Sequence, residues 1–300
     1  MLERSTLDTL ISTHFDAWGV ARVEPIEEEI ARLKEWVGGG FHGDMQYMSR
    51  NIELRANPYE LLPDARSMIM VLMNYYPHEW QSENTPRIAA YAYGNDYHHI
   101  VKSKLTQIAE EINKVTPHKY AVFCDSAPVM ERAWAVRAGL GWIGRNGMLV
   151  NPRLGTFTFI GTLITTLALE PNEPMMNLCG RCRKCIEACP TGAIRENKTI
   201  DARRCLSYQT IEKKGDIDIE LTNAAKNTLY GCDRCQLACP WNRFAKPHNH
   251  PELSPIEGIF ELNWMVMSRS EFNRKLKFSP MQRAGLKKIR ARYEQIIYKT

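Results

Sequence analysis

No apolar stretch in this chain is long enough to cross a bilayer. The longest, Met68 to Met73, falls far short of the roughly 20 residues a spanning helix needs. No basic segment followed by an apolar run opens the sequence, so nothing marks it for export, and its thiols are expected in a reducing cytosol. P-loop and G-x-G-x-x-G motifs are missing as well. The one dense glycine run, Gly38-Gly39-Gly40, has no such context and reads as a flexible connection rather than a phosphate cradle. No flavin or nicotinamide fingerprint is therefore visible. Charge of one sign is not in large excess either, since the formal net charge is +5 over 300 residues. With 44% hydrophobic residues, the chain can fold as an enzyme of two domains and not many more.

Cysteine is scarce except in one stretch: eight of the nine lie between residues 179 and 239. Cys179, Cys182, Cys185 and Cys189 form C-x2-C-x2-C-x3-C followed by Pro190, and Cys232, Cys235 and Cys239 form C-x2-C-x3-C followed by Pro240. The first run has the spacing of bacterial two-cluster ferredoxins, in which three thiolates hold one cluster and the fourth reaches the other. The second run lacks its first cysteine, because position 229 is Leu229; Cys205 is the obvious substitute. The count then closes with Cys179, Cys182, Cys185 and Cys239 on one [4Fe–4S] cluster, and Cys189, Cys205, Cys232 and Cys235 on the other. Proline after the crossing cysteine favours the chain reversal that such a crossing needs. Zinc sites of four cysteines are usually two separate C-x2-C pairs, which this triple run is not.

The first 170 residues read as mixed α and β. Leu7, Leu10, Ile11 and Phe15 predict a helix over Thr6 to Trp18, closed by Gly19. Pro25 opens a second helix, with Glu27, Glu28 and Glu29 in its first turn. Strands are predicted at Ser67 to Tyr75, Arg87 to Tyr93, Lys119 to Cys124, Met148 to Val150 and Thr156 to Leu167. Asp96 should cap a long helix reaching about Val115, and Pro128 to Ala138 should form a helix ended by Gly139. Pro171 and Pro174 mark a domain boundary. Helical segments are expected at Asp201 to Glu212 and Leu221 to Tyr230, then from Ser268 and about Pro280 to Tyr298. The expected division is 1–170, 171–250 and 251–300.

Candidate polar loops are Gly43 to Arg50, Tyr91 to His99, Cys124 to Pro128 and Ala138 to Asn146. Glycines at 139, 141, 144 and 147 would let a backbone approach a large flat ligand, although ordinary turn structure explains them too. Asp125 could simply be the residue that leads into a helix, and Cys124 a small buried apolar residue. His98 and His99 read more readily as surface or capping groups than as ligands.

The string DSAPVMERAWAVRAGLGWIGRN, preceded by YAYGNDYHHIVKSKL and followed by the cysteine framework with RCLSYQTIE around Cys205, resembles the epoxyqueuosine reductase family. The resemblance covers nearly the whole chain. It implies an α+β fold: an N-terminal cobalamin-binding domain with a nitroreductase-like core, then a ferredoxin-like domain with two [4Fe–4S] clusters, then a short basic helical tail. It also implies a relationship to corrinoid reductive dehalogenases and the reduction of epoxyqueuosine to queuosine in a tRNA anticodon, the last step of queuosine biosynthesis. Removing the epoxide oxygen needs two electrons, which one-electron clusters feeding a redox metal can supply, and a proton for the departing oxygen. Asp125 matches the family's proton donor, and burial is expected to raise its pKa. Arg145 and Asn146 match a segment expected to touch cobalamin or substrate, and Arg50, Tyr97 and Ser207 are expected to line the same cavity. The D-x-H-x-x-G signature of other corrinoid proteins is not met, because His99, Ile100 and Val101 follow Asp96-Tyr97-His98.

The partners implied are the anticodon stem-loop of a tRNA carrying epoxyqueuosine and an electron donor that the sequence does not identify; a monomer is expected. Residues 271–300 hold nine Lys or Arg against two Glu. That basic segment is expected to carry much of the tRNA binding, the more so because this chain ends at Thr300 whereas many members continue into a helical-repeat extension. Trp241, Asn242 and Arg243 are candidates to meet exposed bases.

Overall fold

A computed structural model describes residues 3–298. In chain order its elements are α1 (Arg4–Ser12), β1 (Ala17–Arg22), α2 (Glu27–Gly38), α3 (Ile52–Ala56), β2 (Ser67–Asn74), β3 (Arg87–Ile88), α4 (Tyr97–Val115), β4 (Tyr120–Phe123), α5 (Glu131–Arg137), β5 (Trp142–Ile143), β6 (Leu149–Val150) and β7 (Thr158–Thr165). The remainder comprises α6 (Lys184–Glu187), α7 (Leu206–Ile211), α8 (Ile219–Ala225), β8 (Thr228–Tyr230), α9 (Arg234–Leu237), α10 (Arg269–Lys275) and α11 (Gly285–Ile297). Among the described residues, no helix is long and apolar enough to cross a membrane.

The central sheet runs β1-β2-β7-β4 and every pairing in it is antiparallel. Every residue of β2 is buried, as its unbroken Met-Ile-Met-Val-Leu-Met run requires of a strand covered on both faces. One face packs against α1 and α4 through Ile69, Val71, Leu105 and Ile112. The other packs against α2 and α5 through Met68, Met70, Ile30 and Trp134. Helix, sheet and helix thus form three layers, and the C-terminal end of β4 opens onto the start of α4.

The predicted strands at 67, 119, 148 and 156 occur, each shortened at its ends, and Asp96 caps α4 by accepting the His98 N–H at 3.0 Å. Four expectations need correcting. The first helix stops at Ser12, and Trp18 and Gly19 lie in β1, paired with Val71 and Met70. Gly19 is there for space, since a Cβ would sit on the Ala138 carbonyl oxygen. The strand predicted over 87–93 ends at Ile88, and Ala90–Ala92 turn as a short 3-10 helix. The helix predicted over 221–230 ends at Ala225, and Thr228–Tyr230 instead form β8, parallel to β3. Lastly, the basic helix is broken: Gly285, at φ +74°, divides a 3-10 turn at Pro280–Arg283 from α11.

The core does not stop at the expected boundaries. Leu229 and Tyr230 of β8, and Leu253, Trp264, Phe272 and Ile289 beyond it, share one hydrophobic cluster with Val71, Leu105 and Phe157. The Tyr230 hydroxyl donates to the Pro280 carbonyl at 2.7 Å. Leu229, the position where a regular second cysteine run would begin, is 1% exposed inside that core.

Gly19→Val should destabilise the protein by about 1–3 kcal/mol, the usual cost of forcing atoms into a packed site. Denaturant unfolding of the two proteins side by side checks this; an unchanged midpoint would mean that β1 and the Ala138 turn can separate freely.

Candidate functional site

Asp125 stands just past the end of β4, with φ at +56°, a left-handed conformation that Asp tolerates better than most L-residues. Three neighbours hold it. Its own N–H donates to both carboxylate oxygens of Glu131, at 3.0 Å each. The Tyr97 hydroxyl donates to Oδ2. His98 Nε2 lies 3.2 Å from the same oxygen, while its Nδ1 lies 2.6 Å from Asp96 Oδ1. The imidazole is therefore bridged between two carboxylates. Tyr97 is fixed in turn by stacking on Phe159, with centroids 4.0 Å apart and planes 3° from parallel.

Protons distribute unevenly over this group. Burial opposes the charge on His98, but hydrogen bonds to Asp125 and Asp96 outweigh it and push its pKa up to about 9. Burial likewise opposes the charge on Asp125, yet bonds from His98 and Tyr97, with the charges of His98 and Arg132, hold its carboxyl below the usual range. Glu131 is pushed up to about 8, by burial first and by the neighbouring Asp125 charge second. The rise expected for Asp125 is thus not found in the protein alone; at neutral pH the protons rest on His98 and Glu131. The Asp125 side chain is nevertheless 60% exposed, so the group opens into a recess. Tyr47, Arg55, Arg132 and Arg283 all feel the charge of Asp125.

The eight cysteines form two groups. Cys179, Cys182, Cys185 and Cys239 line one cavity of about 110 Å³, together with Gly144, Arg145, Asn146 and Trp241. Burial first, and then the other three cysteines of this set, raise the pKa of Cys185. Cys235 is raised by burial and then by Cys205, Cys232 and Cys189, and Cys232 is pushed up to about 12 by burial chiefly. Short helices α6 and α9 lie inside the two cysteine runs and pack on each other. Four sulfurs around one cavity, with the thiolates of Cys185 and Cys239 disfavoured by burial and by the neighbouring cysteines, suit cationic iron.

The other predicted residues scatter. Tyr97 is at Asp125. Arg145 and Asn146 line the first cysteine cavity, where the Arg145 Nη2 donates to Gly180 O at 3.1 Å and the Asn146 Nδ2 to Cys235 O at 3.3 Å. Ser207 reaches the second group through its backbone N–H, which bonds Cys205. Arg50 is exposed on the 46–51 loop. Asn242 cannot serve a base, because it is buried against Thr156, accepting the Thr156 N–H at 2.7 Å. The glycines at 139 and 141 face the Glu173 and Val150 carbonyls, so they serve chain packing rather than a flat ligand.

Several cations of the basic segment are engaged by the chain itself. Arg283 is paired with Glu212 and sits over the Tyr47 ring. Lys288 caps the carbonyls of Lys213 and Gly215, Arg290 those of Trp264 and Met267, and Arg292 those of Thr228 and Lys226. Lys275 pairs with Glu271, and Lys299 lies outside the described residues. Arg283, Lys288, Arg290 and Arg292 therefore fasten the tail to the body of the chain.

Sequence reasoning missed His98, Glu131, Arg55 and Arg283 as members of the Asp125 site. Helical spacing offered a signal for one of them only: His98 is two residues from its cap, Asp96, and one from Tyr97. Arg283 is 158 residues from Asp125 in the chain, and nothing local points to it.

A family model described as epoxyqueuosine reductase QueG matches residues 55–126, and one described as a 4Fe-4S double cluster binding domain matches 178–242. An epoxyqueuosine reductase of Cellulophaga algicola is 41% identical over 284 residues, covering 91% of this chain and 92% of the relative. The structure of epoxyqueuosine reductase from Streptococcus thermophilus superposes with a TM-score of 0.90 at 29% identity, over 99% of this chain and 81% of that one. An epoxyqueuosine reductase crystallised with an epoxyqueuosine-modified tRNA-Tyr stem loop superposes with a TM-score of 0.88 at 28% identity, over 98% and 80%.

The raised pKa of His98 contributes stability that is complete below its unfolded value of about 6.5 and is lost as pH rises through about 9. An NMR titration of His98 should show a midpoint near 9. Asp125→Asn should bring it down toward the ordinary histidine value; a midpoint unmoved by that change would show that Asp125 does not hold the proton on His98.

Proposed function

This chain belongs to the epoxyqueuosine reductase family, and from that premise we propose that Asp125 is the proton donor in the reduction of epoxyqueuosine to queuosine in a tRNA anticodon. The protein is an oxidoreductase that uses two [4Fe–4S] clusters and cobalamin. Cys179, Cys182, Cys185 and Cys239 hold one cluster, and Cys189, Cys205, Cys232 and Cys235 the other. The first 170 residues act as a cobalamin-binding domain with a nitroreductase-like core, 171–250 as the ferredoxin-like domain, and 251–300 as a helical tail. Tyr97 beside Asp125, Arg145, Asn146 and Ser207 at the cysteine groups, and Arg50 on its exposed loop are the residues that would hold the cofactor.

One observation carries the reading: a carboxylate fixed by His98 and Tyr97 that stays open to a recess. The epoxide oxygen leaves as water, which takes two electrons and two protons. Cobalamin, when bound, supplies the reduced metal centre that such a deoxygenation needs, with electrons arriving singly from the clusters. The chain's own residues manage the protons. Asp125 gives a proton to the departing oxygen and is refilled by His98, 3.2 Å away and protonated at neutral pH. Glu131, also protonated there, clamps the Asp125 backbone and holds the second proton close by. Substrate that covers the recess excludes water and lifts the Asp125 pKa toward the range a general acid needs.

The test uses anaerobically purified holoenzyme and epoxyqueuosine-containing tRNA, with product nucleosides measured by mass spectrometry. Asp125→Asn should keep iron and cobalamin content while lowering turnover by about 10²–10⁴-fold. The wild-type rate should fall as pH rises through about 8 and then about 9, where Glu131 and then His98 lose their protons. Full activity in Asp125→Asn would sink the acid role, and inactivity on tRNA with activity on a halogenated small molecule would replace the substrate.

A further inference from the structure

We propose that Trp142 and Thr191 set the reduction potentials of the two clusters, one residue for each. The inference rests on the cysteine assignment given above. Trp142 lies in β5, between Gly141 and Gly144, which the chemistry at Asp125 leaves unused. It is 1% exposed, and its indole Nε1 donates to Cys179 Sγ at 3.4 Å. Trp241, which lines the same cavity, packs edge-on against it with centroids 4.9 Å apart and planes at 76°. The glycines around it make this approach possible: a Cβ on Gly141 would strike the Val150 carbonyl, and one on Gly144 would crowd the Asn146 side chain.

Thr191 is the counterpart on the other cage. It is 4% exposed, with Oγ1 3.6 Å from Cys189 Sγ. A thiolate bound to iron carries no proton, so the hydroxyl is the donor there. Arg204 Nε holds the Thr191 carbonyl at 2.7 Å and fixes the residue that presents the hydroxyl. Among the described residues, the remaining bonds to cluster sulfurs come from backbone N–H groups, as from Ala193 to Cys189 at 3.3 Å.

A donor to a ligand sulfur draws electron density from it and favours the reduced, more negative cluster, so each bond raises the potential of its own cluster. Because the two side chains serve different cages, the potentials of the clusters are adjustable one at a time. A side chain, unlike a backbone amide, can be replaced without rebuilding the cage.

Redox titration of the anaerobic holoenzyme, followed by electron paramagnetic resonance of the reduced clusters, tests this. Trp142→Phe keeps the ring and loses the N–H, and one midpoint should move to more negative potential while the other stays. Thr191→Val should move the other midpoint, and Thr191→Ser, which keeps the hydroxyl, should restore it. Iron content should stay at about eight per chain throughout. Unmoved midpoints, or both variants shifting the same one, would overturn the proposal. Loss of half the iron in Trp142→Phe would overturn it too, by making Trp142 a structural wall. A chain that never loads about eight irons would instead refute the cluster assignment itself.

Discussion

A reductase of this kind must bring sulfur cages and an acid to the same place, although its clustered cysteines begin 54 residues after Asp125. The pairing of β8 with β3 is the contact that does so. Arg87 donates to the Asn227 carbonyl and Ala89 to the Tyr230 carbonyl, each at 2.7 Å, and Ala90 donates to the Asp233 carboxylate at 2.7 Å. Three short bonds thus anchor the start of the second cysteine run to the segment leading into α4. From there α4 presents Tyr97 and His98 to Asp125. Burial of Leu229 and Tyr230 makes the join lasting, since neither can reach water without opening the main core.

Two kinds of information were legible before the structure. Cysteine spacing is one-dimensional, because a cluster needs several thiolates at short chain intervals, and a double-cluster domain could be read from it directly. Strands such as β2 and β7 were also readable, since covered strands concentrate β-branched and other large apolar residues. What could not be read were matters of contact. Gly19 looked like a helix stop because its real reason, the Ala138 carbonyl, lies on another element. Thr228 to Tyr230 continued a helical pattern, yet they became a strand once β3 offered a partner. Asp125 was visible as a candidate acid, but its charge state depends on His98 and Glu131, which only folding brings within 3.2 Å of it.

The C-terminal cations show the same limit. A run of Lys and Arg reads as a binding surface because sequence counts charges and not partners. Folded, the long side chains of Lys288, Arg290 and Arg292 reach back over the body and satisfy carbonyls that end helices and turns. Burial lowers the pKa of Arg292 to about 10, an environment suited to a bracket rather than to phosphate capture. Arg283 is the exception in location: it stands over Tyr47 at the mouth of the Asp125 recess, held by Glu212.

Leu229 also bears on how such a protein can be assembled over time. A ferredoxin with two complete cysteine runs is a portable cassette that can be joined to many hosts, because its two runs together supply both cages. Here the proposed fourth ligand is Cys205, and position 229 is part of a neighbour's interior. The electron-carrying unit can no longer be lifted out intact: excised, it would present Leu229 and Tyr230 to water as an unpaired edge, and the host would lose a piece of its core. The two halves must be inherited together.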